Sequence, residues 1–178
     1  NIREGALVMI TQFTSASASK YLKSLQEEKD FLLDAERKNC TYDCAVNEEA
    51  QAPEYSYEET RLAIEDIDAR VLKIRHALHI FNINTMLPNG GITIDEALVR
   101  MAQLSEKKKR LSAMRGRNPR ERKSYGYFSR ESNILEYTYT NYDVSVADKD
   151  YRETCKAISD MQLELDLINQ TKTFDVDL

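Results

Sequence analysis

The chain has 178 residues, of which 30 are acidic and 25 are lysine or arginine, so its formal net charge is −5. This length favours one domain with a substantial core. With 42% apolar and 31% charged residues the chain is not disordered, and no apolar run approaches the roughly 18–20 residues that span a bilayer. Only five glycines and three prolines are present, which favours long helices over a barrel of many short strands.

The cysteines are few and odd in number, which argues against the disulfide framework of a secreted protein. They are Cys40, Cys44 and Cys155. The N-terminal residues lack the layout of a secretory signal. We therefore expect a cytoplasmic location, in a bacterial cell or a phage-infected host, and no membrane partner. Residues 1–16 are predicted to be a flexible segment, followed by a single helical domain over 17–178.

Four segments have the apolar spacing of amphipathic helices, at about 17–38, 57–82, 94–115 and 146–169. The second segment is the most regular, because its apolar residues recur at alternating intervals of three and four, as in a heptad seam. The seam comprises Ile64, Ile67, Val71, Ile74, Leu78 and Phe81. In the fourth segment, Leu163 and Leu167 add a second apolar face. These two features predict a homo-oligomer.

The third segment has clear boundaries. Thr93 and Glu96 have the spacing of a capping box at its start, and Gly116 is a natural stop. Beyond it the pattern changes, because Tyr137 and Tyr139 alternate with polar residues at the period of a β-strand. We expect a β-hairpin at about 124–142. The predicted fold is therefore mainly α, with long antiparallel helices in helical hairpins, one inserted β-hairpin and minor β content.

Several short motifs follow one another in the middle of the chain. They are Phe81-Asn-x-Asn-Thr85, Gly91-x-Thr-x-x-Glu-Ala-Leu98, Tyr127-x-Ser-Arg-x-Ser132 and Asp150-Tyr-Arg152. In order and spacing, over about 57–171, this set resembles the septicolysin-like family of small bacterial proteins of unassigned function. The chain departs from the family in its long basic stretch before the hairpin and in Gln170, where an aromatic residue is expected. The resemblance implies a helical protein with a hairpin and supplies no reaction.

The most distinctive local feature is a basic segment over 107–123. Nine of its 17 residues are basic and only Glu121 is acidic, so the segment carries +8 and leaves −13 on the rest of the chain. Lysines near the end of a helix suit the helix dipole. The arginines that follow offer planar forks that match phosphate or carboxylate, and the tyrosines beyond them offer ring faces for stacking a base.

These residues predict a site for a phosphate-bearing small molecule, with arginines holding phosphate and tyrosines stacking. The candidates are Arg115, Arg117, Arg120, Arg122, Tyr125, Tyr127, Arg130 and Tyr139. Two alternatives stay open. The basic segment could bind nucleic acid, although the −13 on the remainder disfavours a long polyanion. It could instead be a solvated surface that faces an acidic neighbour in an assembly without a small ligand.

No residue pattern points to a reaction, a cofactor or a metal. His76 and His79 lie three residues apart on the second helix, but the sequence offers no clear third ligand and lacks the glutamate of an H-E-x-x-H site. The chain has neither the Lys and Ser of a phosphate-binding P-loop nor a G-x-S-x-G elbow. The sequence therefore predicts a non-enzymatic, oligomeric binding protein for a nucleotide-type ligand, for which sequestering a signal is one use.

Overall fold

A computed structural model describes residues 10–123 and 136–178 of the chain. Helices and short strands follow one another in the order β1 (Ile10–Thr14), α1 (Ser15–Asn39), α2 (Tyr57–Asn84), α3 (Ile94–Arg115), β2 (Arg120–Arg122), β3 (Tyr137–Tyr139), α4 (Val144–Thr171) and β4 (Thr173–Asp177). The mainly α fold with minor β content is thus confirmed. No helix in these two ranges is long and apolar enough to cross a membrane.

The chain divides into two compact units, where the sequence predicts a single domain over 17–178. The first unit falls within Asn1–Thr85 and Asp166–Leu178, and the second within Met86–Leu165. The first unit therefore contains β1, α1, α2, the end of α4 and β4. The second contains α3, the two strands β2 and β3, and most of α4.

The first unit is built around a helical hairpin of α1 and α2. Its buried core comprises Phe13, Ala18, Leu25, Ile67, Ile74 and Val176. The predicted heptad seam of α2 therefore packs inside the chain, against α1. Lys29 interrupts the apolar face of α1, and its ammonium group donates to the Asp68 carboxylate of α2 at 2.6 Å. This ion pair lets a cation occupy a position that faces the neighbouring helix.

The two ends of the described chain pair as an antiparallel sheet, which the sequence does not predict. β1 and β4 pair in a register that puts Phe13 opposite Phe174. The Phe174 ring centroid lies 5.1 Å from that of Phe81 at the end of α2. Residues 10–16, which belong to the segment predicted to be flexible, form β1 and the start of α1. The rest of that predicted segment, 1–9, lies outside the described residues.

A tight loop leads into α3 in the second unit. Gly91 has a φ of 59°, in the left-handed region that glycine adopts without strain. The Thr93 hydroxyl accepts from the Glu96 N–H, and the Glu96 carboxylate accepts from the Thr93 N–H at 2.7 Å. The predicted capping box is confirmed, as are the predicted bounds of α3.

Candidate anion-binding site

β2 and β3 form a short antiparallel ribbon. Three cross-strand pairs define its register: Arg120 with Tyr139, Glu121 with Thr138, and Arg122 with Tyr137. The hairpin predicted at about 124–142 therefore includes β3, whereas β2 precedes that range. Residues 124–135 lie outside the described part of the chain.

One face of the ribbon carries arginine and tyrosine side chains together. Successive residues of a strand point to opposite faces, and directly paired residues share a face. The four residues on this face are Arg120, Arg122, Tyr137 and Tyr139. The Arg120 guanidinium lies 4.3 Å from the centroid of the Tyr137 ring, as in a cation–π contact. We term these four residues the Arg–Tyr face.

The acidic residues of the ribbon belong to its opposite face and have partners of their own. Glu121 accepts a hydrogen bond from the Asn118 amide at 2.8 Å. Glu136 forms an ion pair with Lys123 at 3.1 Å. Among residues 10–123 and 136–178, neither arginine of the Arg–Tyr face forms an ion pair. Within the described ranges, the positive charge of the Arg–Tyr face is therefore not compensated by an ion pair.

Hydrogen bonds extend the pairing beside the ribbon and join the segment after β3 to the end of α3. The Thr140 hydroxyl donates to the Asn118 carbonyl at 2.7 Å, and the Thr140 N–H donates to the Pro119 carbonyl at 3.0 Å. The Tyr142 hydroxyl donates to the Met114 carbonyl at 2.8 Å. Carbonyl groups in the last turn of a helix lack intrahelical partners, so Tyr142 also completes the end of α3. These contacts fix the position of the Arg–Tyr face within the second unit.

Arg115, the last residue of α3, is directed toward α4. Its Nε lies 3.1 Å from the Asp148 carboxylate, and its guanidinium carbon lies 4.2 Å from the centroid of the Tyr151 ring. The Arg115 guanidinium is therefore engaged with α4, although its side chain remains 39% exposed. Arg117, two residues later, is exposed and forms no ion pair within the part of the chain that the structure describes.

The predicted site residues thus separate into groups. Three share the Arg–Tyr face, namely Arg120, Arg122 and Tyr139. Three others lie outside the described residues, namely Tyr125, Tyr127 and Arg130. Tyr137 was absent from the predicted site, although its alternation with Tyr139 is the signal that places both rings on one face.

A basic groove runs along α3 in the same unit. Its volume is about 580 Å³, within the range of small-molecule sites. It is lined by Ser105, Lys108, Lys109, Ser112, Ala113 and Tyr151. The sequence-based prediction did not include this groove. One feature of the sequence does indicate the groove. Lys108 lies between Leu104 and Leu111, at a position of the apolar seam where an apolar residue is expected, and so directs a cation toward α4.

A second groove lies at the start of α4 and has a volume of about 440 Å³. Asp143 and Asp150 are among its lining residues, which makes it less suitable for an anion. Asp143 also caps α4, because its carboxylate accepts from the Ser145 hydroxyl at 2.7 Å and from the Ser145 N–H at 2.8 Å. These hydrogen bonds hold the pKa of Asp143 below its ordinary value.

The two histidines of α2, His76 and His79, are both exposed. No group of three or more His, Cys, Asp or Glu residues in the described ranges could hold a metal ion. The three cysteines are free thiols. The chemistry available at the candidate site is therefore that of arginine, lysine, serine and tyrosine side chains, which recognise anions and aromatic rings.

The chain matches no protein-family model, and no curated protein matches it. It is similar to the crystal structure of a functionally unknown conserved protein from Corynebacterium diphtheriae, with a TM-score of 0.61 and 15% sequence identity. The match covers 92% of this chain and 99% of that chain. At this identity the likeness shows the fold alone. The septicolysin-like resemblance stays a prediction.

Proposed function

We propose that the chain is a non-enzymatic binding protein that captures a phosphate-bearing small molecule of nucleotide type on the Arg–Tyr face. The observation that carries this proposal is the β2–β3 register, which gathers two arginines and two tyrosines on one side of the ribbon. Arginine matches the geometry of phosphate, and a tyrosine ring matches a base. A nucleotide presents both groups at once.

The contacts within the face suggest a division of roles. Arg120 is held against Tyr137 before any ligand arrives, so less of its freedom is lost when it binds phosphate. Arg122 is exposed beside it and supplies a second fork. Tyr139 is 65% exposed, and its ring is therefore available to a base.

A compact ligand suits the charge distribution better than a long polyanion. The four residues of the Arg–Tyr face cover a short length of ribbon, and the chain outside 107–123 carries −13. A nucleic acid that extended beyond the ribbon would meet this negative charge. A nucleotide would contact only the positive face.

Two matched double variants test the location of the site. One combines Arg120→Glu with Arg122→Glu on the ribbon, and the other combines Lys108→Glu with Lys109→Glu in the groove. Each changes the net charge equally on exposed residues of the same unit. With AMP, ATP and inorganic phosphate as calorimetric probes, we expect the arginine pair to weaken binding by about 10–100-fold. The double variant of Lys108 and Lys109 should change the affinity for these probes by less than about threefold.

The reverse result would place the ligand in the groove and overturn the proposal for the Arg–Tyr face. Native mass spectrometry of the purified protein, followed by denaturation, identifies any compound that co-purifies. Release of an altered product after incubation would show turnover and contradict a non-enzymatic role. If nothing co-purifies and no probe binds, the small-ligand proposal fails. Binding to single-stranded oligonucleotides alone, with steep salt dependence, would assign the face to nucleic acid.

A further inference from the structure

The second groove of the second unit, at the start of α4, has apolar residues from both α3 and α4 in its lining. We term it the α4 groove. Leu111 and Ala147, which line it, are 5% and 6% exposed. Met114 and Tyr142 are half-buried in the same lining, whereas Val146 is 53% exposed. An exposed valine beside buried apolar residues leaves apolar surface open to a ligand, and the volume of about 440 Å³ suits a compact molecule.

Three charged residues complete the lining of the α4 groove, namely Arg110, Asp143 and Asp150. One carboxylate oxygen of Asp143 already accepts both hydrogen bonds from Ser145. Arg110 and Asp150, by contrast, form no ion pair with any residue of 10–123 or 136–178. Within these ranges the groove therefore offers one cationic and one anionic side chain whose charges the protein itself leaves unpaired.

The helices that carry these two charges, α3 and α4, run antiparallel. At one end, Arg115 in the last turn of α3 pairs with Asp148 near the start of α4 at 3.1 Å. At the other end, the N–H of Asn89, before α3, donates to the Glu164 carboxylate near the end of α4 at 3.1 Å. A step toward the start of α3 is therefore a step toward the end of α4.

Arg110 and Asp150 consequently lie at similar levels of the two helices. From the contact between Arg115 and Asp148, Arg110 is about 7.5 Å back along α3, and Asp150 is about 3 Å forward along α4. Both steps have the same direction, so the two residues differ in level by about 4.5 Å. This offset is less than one helical turn. One small ligand with two neighbouring charged groups can therefore reach both side chains.

Charged residues next to the α4 groove do not neutralise this pair. Asp148 forms ion pairs with both Arg115 and Arg152, at 3.1 and 2.8 Å, so its carboxylate is already shared by two arginines. Glu106 lies one turn before Arg110 on α3, but the two form no ion pair in the part of the chain that the structure describes. The charge of Arg110 is therefore not compensated from its own helix.

From these observations we infer that the α4 groove binds a free α-amino acid with an apolar side chain. The Arg110 guanidinium matches the carboxylate of the ligand as a planar fork, and the Asp150 carboxylate accepts from its ammonium group. The apolar lining takes up the side chain. A simple anion would meet Asp143 and Asp150, and a simple cation would meet Arg110, so a zwitterion fits the lining best. This site is separate from the Arg–Tyr face and does not depend on it.

Calorimetric titration of the full chain with L-leucine, L-methionine and L-phenylalanine tests the class of ligand. We expect at least one of them to bind, and glycine to bind about 10–100-fold more weakly because it has no side chain to bury. Two analogues of the tightest ligand, one without its carboxyl group and one without its amino group, should each bind at least about 10-fold more weakly. If none of the three amino acids binds at concentrations up to about 10 mM, the inference is wrong. It is also wrong if glycine or either analogue binds as tightly as the amino acid.

Two single variants test the partners of the charged groups. Asp150→Asn should weaken binding of the amino acid by about 10-fold without weakening binding of the analogue that lacks the amino group. Arg110→Gln should weaken binding of the amino acid to a similar extent without weakening binding of the analogue that lacks the carboxyl group. Unchanged affinity for the amino acid in both variants would overturn the inference.

Matched controls remove the same charges from exposed neighbours that do not line the α4 groove. Lys107→Gln is the control for Arg110→Gln, and Glu153→Gln is the control for Asp150→Asn. Each should change the affinity for the amino acid by less than about twofold. The double variant of Arg120 and Arg122 described above should also leave this affinity unchanged, because it alters only the Arg–Tyr face. If the controls weaken binding as much as the groove variants do, the amino acid is not held by Arg110 and Asp150, and the inference fails.

Discussion

The Arg120 guanidinium lies over the Tyr137 ring, 4.3 Å from its centroid, although the direct cross-strand partner of Arg120 is Tyr139. Arg120 therefore leans diagonally along the ribbon, and this gives the two tyrosines different surroundings. The Tyr137 ring is half-buried and supports a cation, whereas the Tyr139 ring is 65% exposed. The two rings should therefore contribute to ligand binding in different ways.

Substitution of Tyr139 should separate recognition of a base from recognition of phosphate. We expect Tyr139→Ala to weaken AMP binding by about 5–100-fold, the range for loss of one base-stacking ring. Binding of inorganic phosphate should change by less than about twofold, since phosphate has no ring to stack. Calorimetric titration with both probes measures the difference. The free energy of unfolding should change by less than about 0.5 kcal/mol because the side chain is exposed. Equal losses for AMP and phosphate would argue against stacking on Tyr139.

Arg115 should behave as a structural residue although it belongs to the same basic segment. Its contacts with Asp148 and Tyr151 join the end of α3 to α4. We expect Arg115→Met to lower the free energy of unfolding by about 1 kcal/mol and to change AMP affinity by less than about threefold. Chemical denaturation and calorimetry measure these two quantities. Arg117→Met, at an exposed position without an ion pair in the described ranges, is the control and should leave stability unchanged. If Arg115→Met abolishes AMP binding while the fold stays stable, Arg115 is a ligand residue.

The cap of α4 should give a measurable pH dependence. Hydrogen bonds from Ser145 hold the pKa of Asp143 below its ordinary value of 3.8. The charged cap therefore stabilises the fold above about pH 4, and this contribution is lost as the pH falls through the lower pKa of the folded state. Asp143→Asn keeps a capping oxygen but removes the charge that the helix N-terminus favours. We expect the parent protein to have the higher Tm at pH 6, and this advantage to shrink between pH 4 and pH 2. A Tm difference that stays constant with pH would contradict the role of the charge.

Local signals explain why the helices could be predicted from the sequence. The boundaries of α3 are set by Thr93, Glu96 and Gly116, which all lie within or next to the helix. The inward face of α2 is likewise recorded in its own heptad seam. The partner of Lys29 was not predictable in this way, because Asp68 is 39 residues away. Only the packing of α1 on α2 brings the two charges together.

The candidate site likewise has features that could be predicted from the sequence and features that depend on the folded structure. A run of arginines is visible in the sequence, but the side to which each one points depends on secondary structure. Arg115 ends a helix and follows its seam toward α4, whereas Arg120 and Arg122 alternate on a strand and share a face. The cross-strand register adds Tyr137 to that face. This register depends on strand pairing between separate parts of the chain, which residue order does not specify.

The sheet formed by β1 and β4 should be essential to the stability of the first unit. Val176 is 3% exposed and belongs to the core that also contains Phe13. Val176→Asp would bury a carboxylate without a partner, and we expect a loss of more than about 3 kcal/mol in the free energy of unfolding. Val176→Ala, which leaves the strand intact, should cost about 1–3 kcal/mol and keeps the test informative if the aspartate variant does not fold. Asp177→Asn, at the exposed neighbouring position, should have an effect below about 0.5 kcal/mol. Urea denaturation followed by circular dichroism measures all three variants. If both Val176 variants have the same free energy of unfolding as the parent protein, β4 does not contribute to the core. The pairing of β1 with β4 is then not needed for the fold.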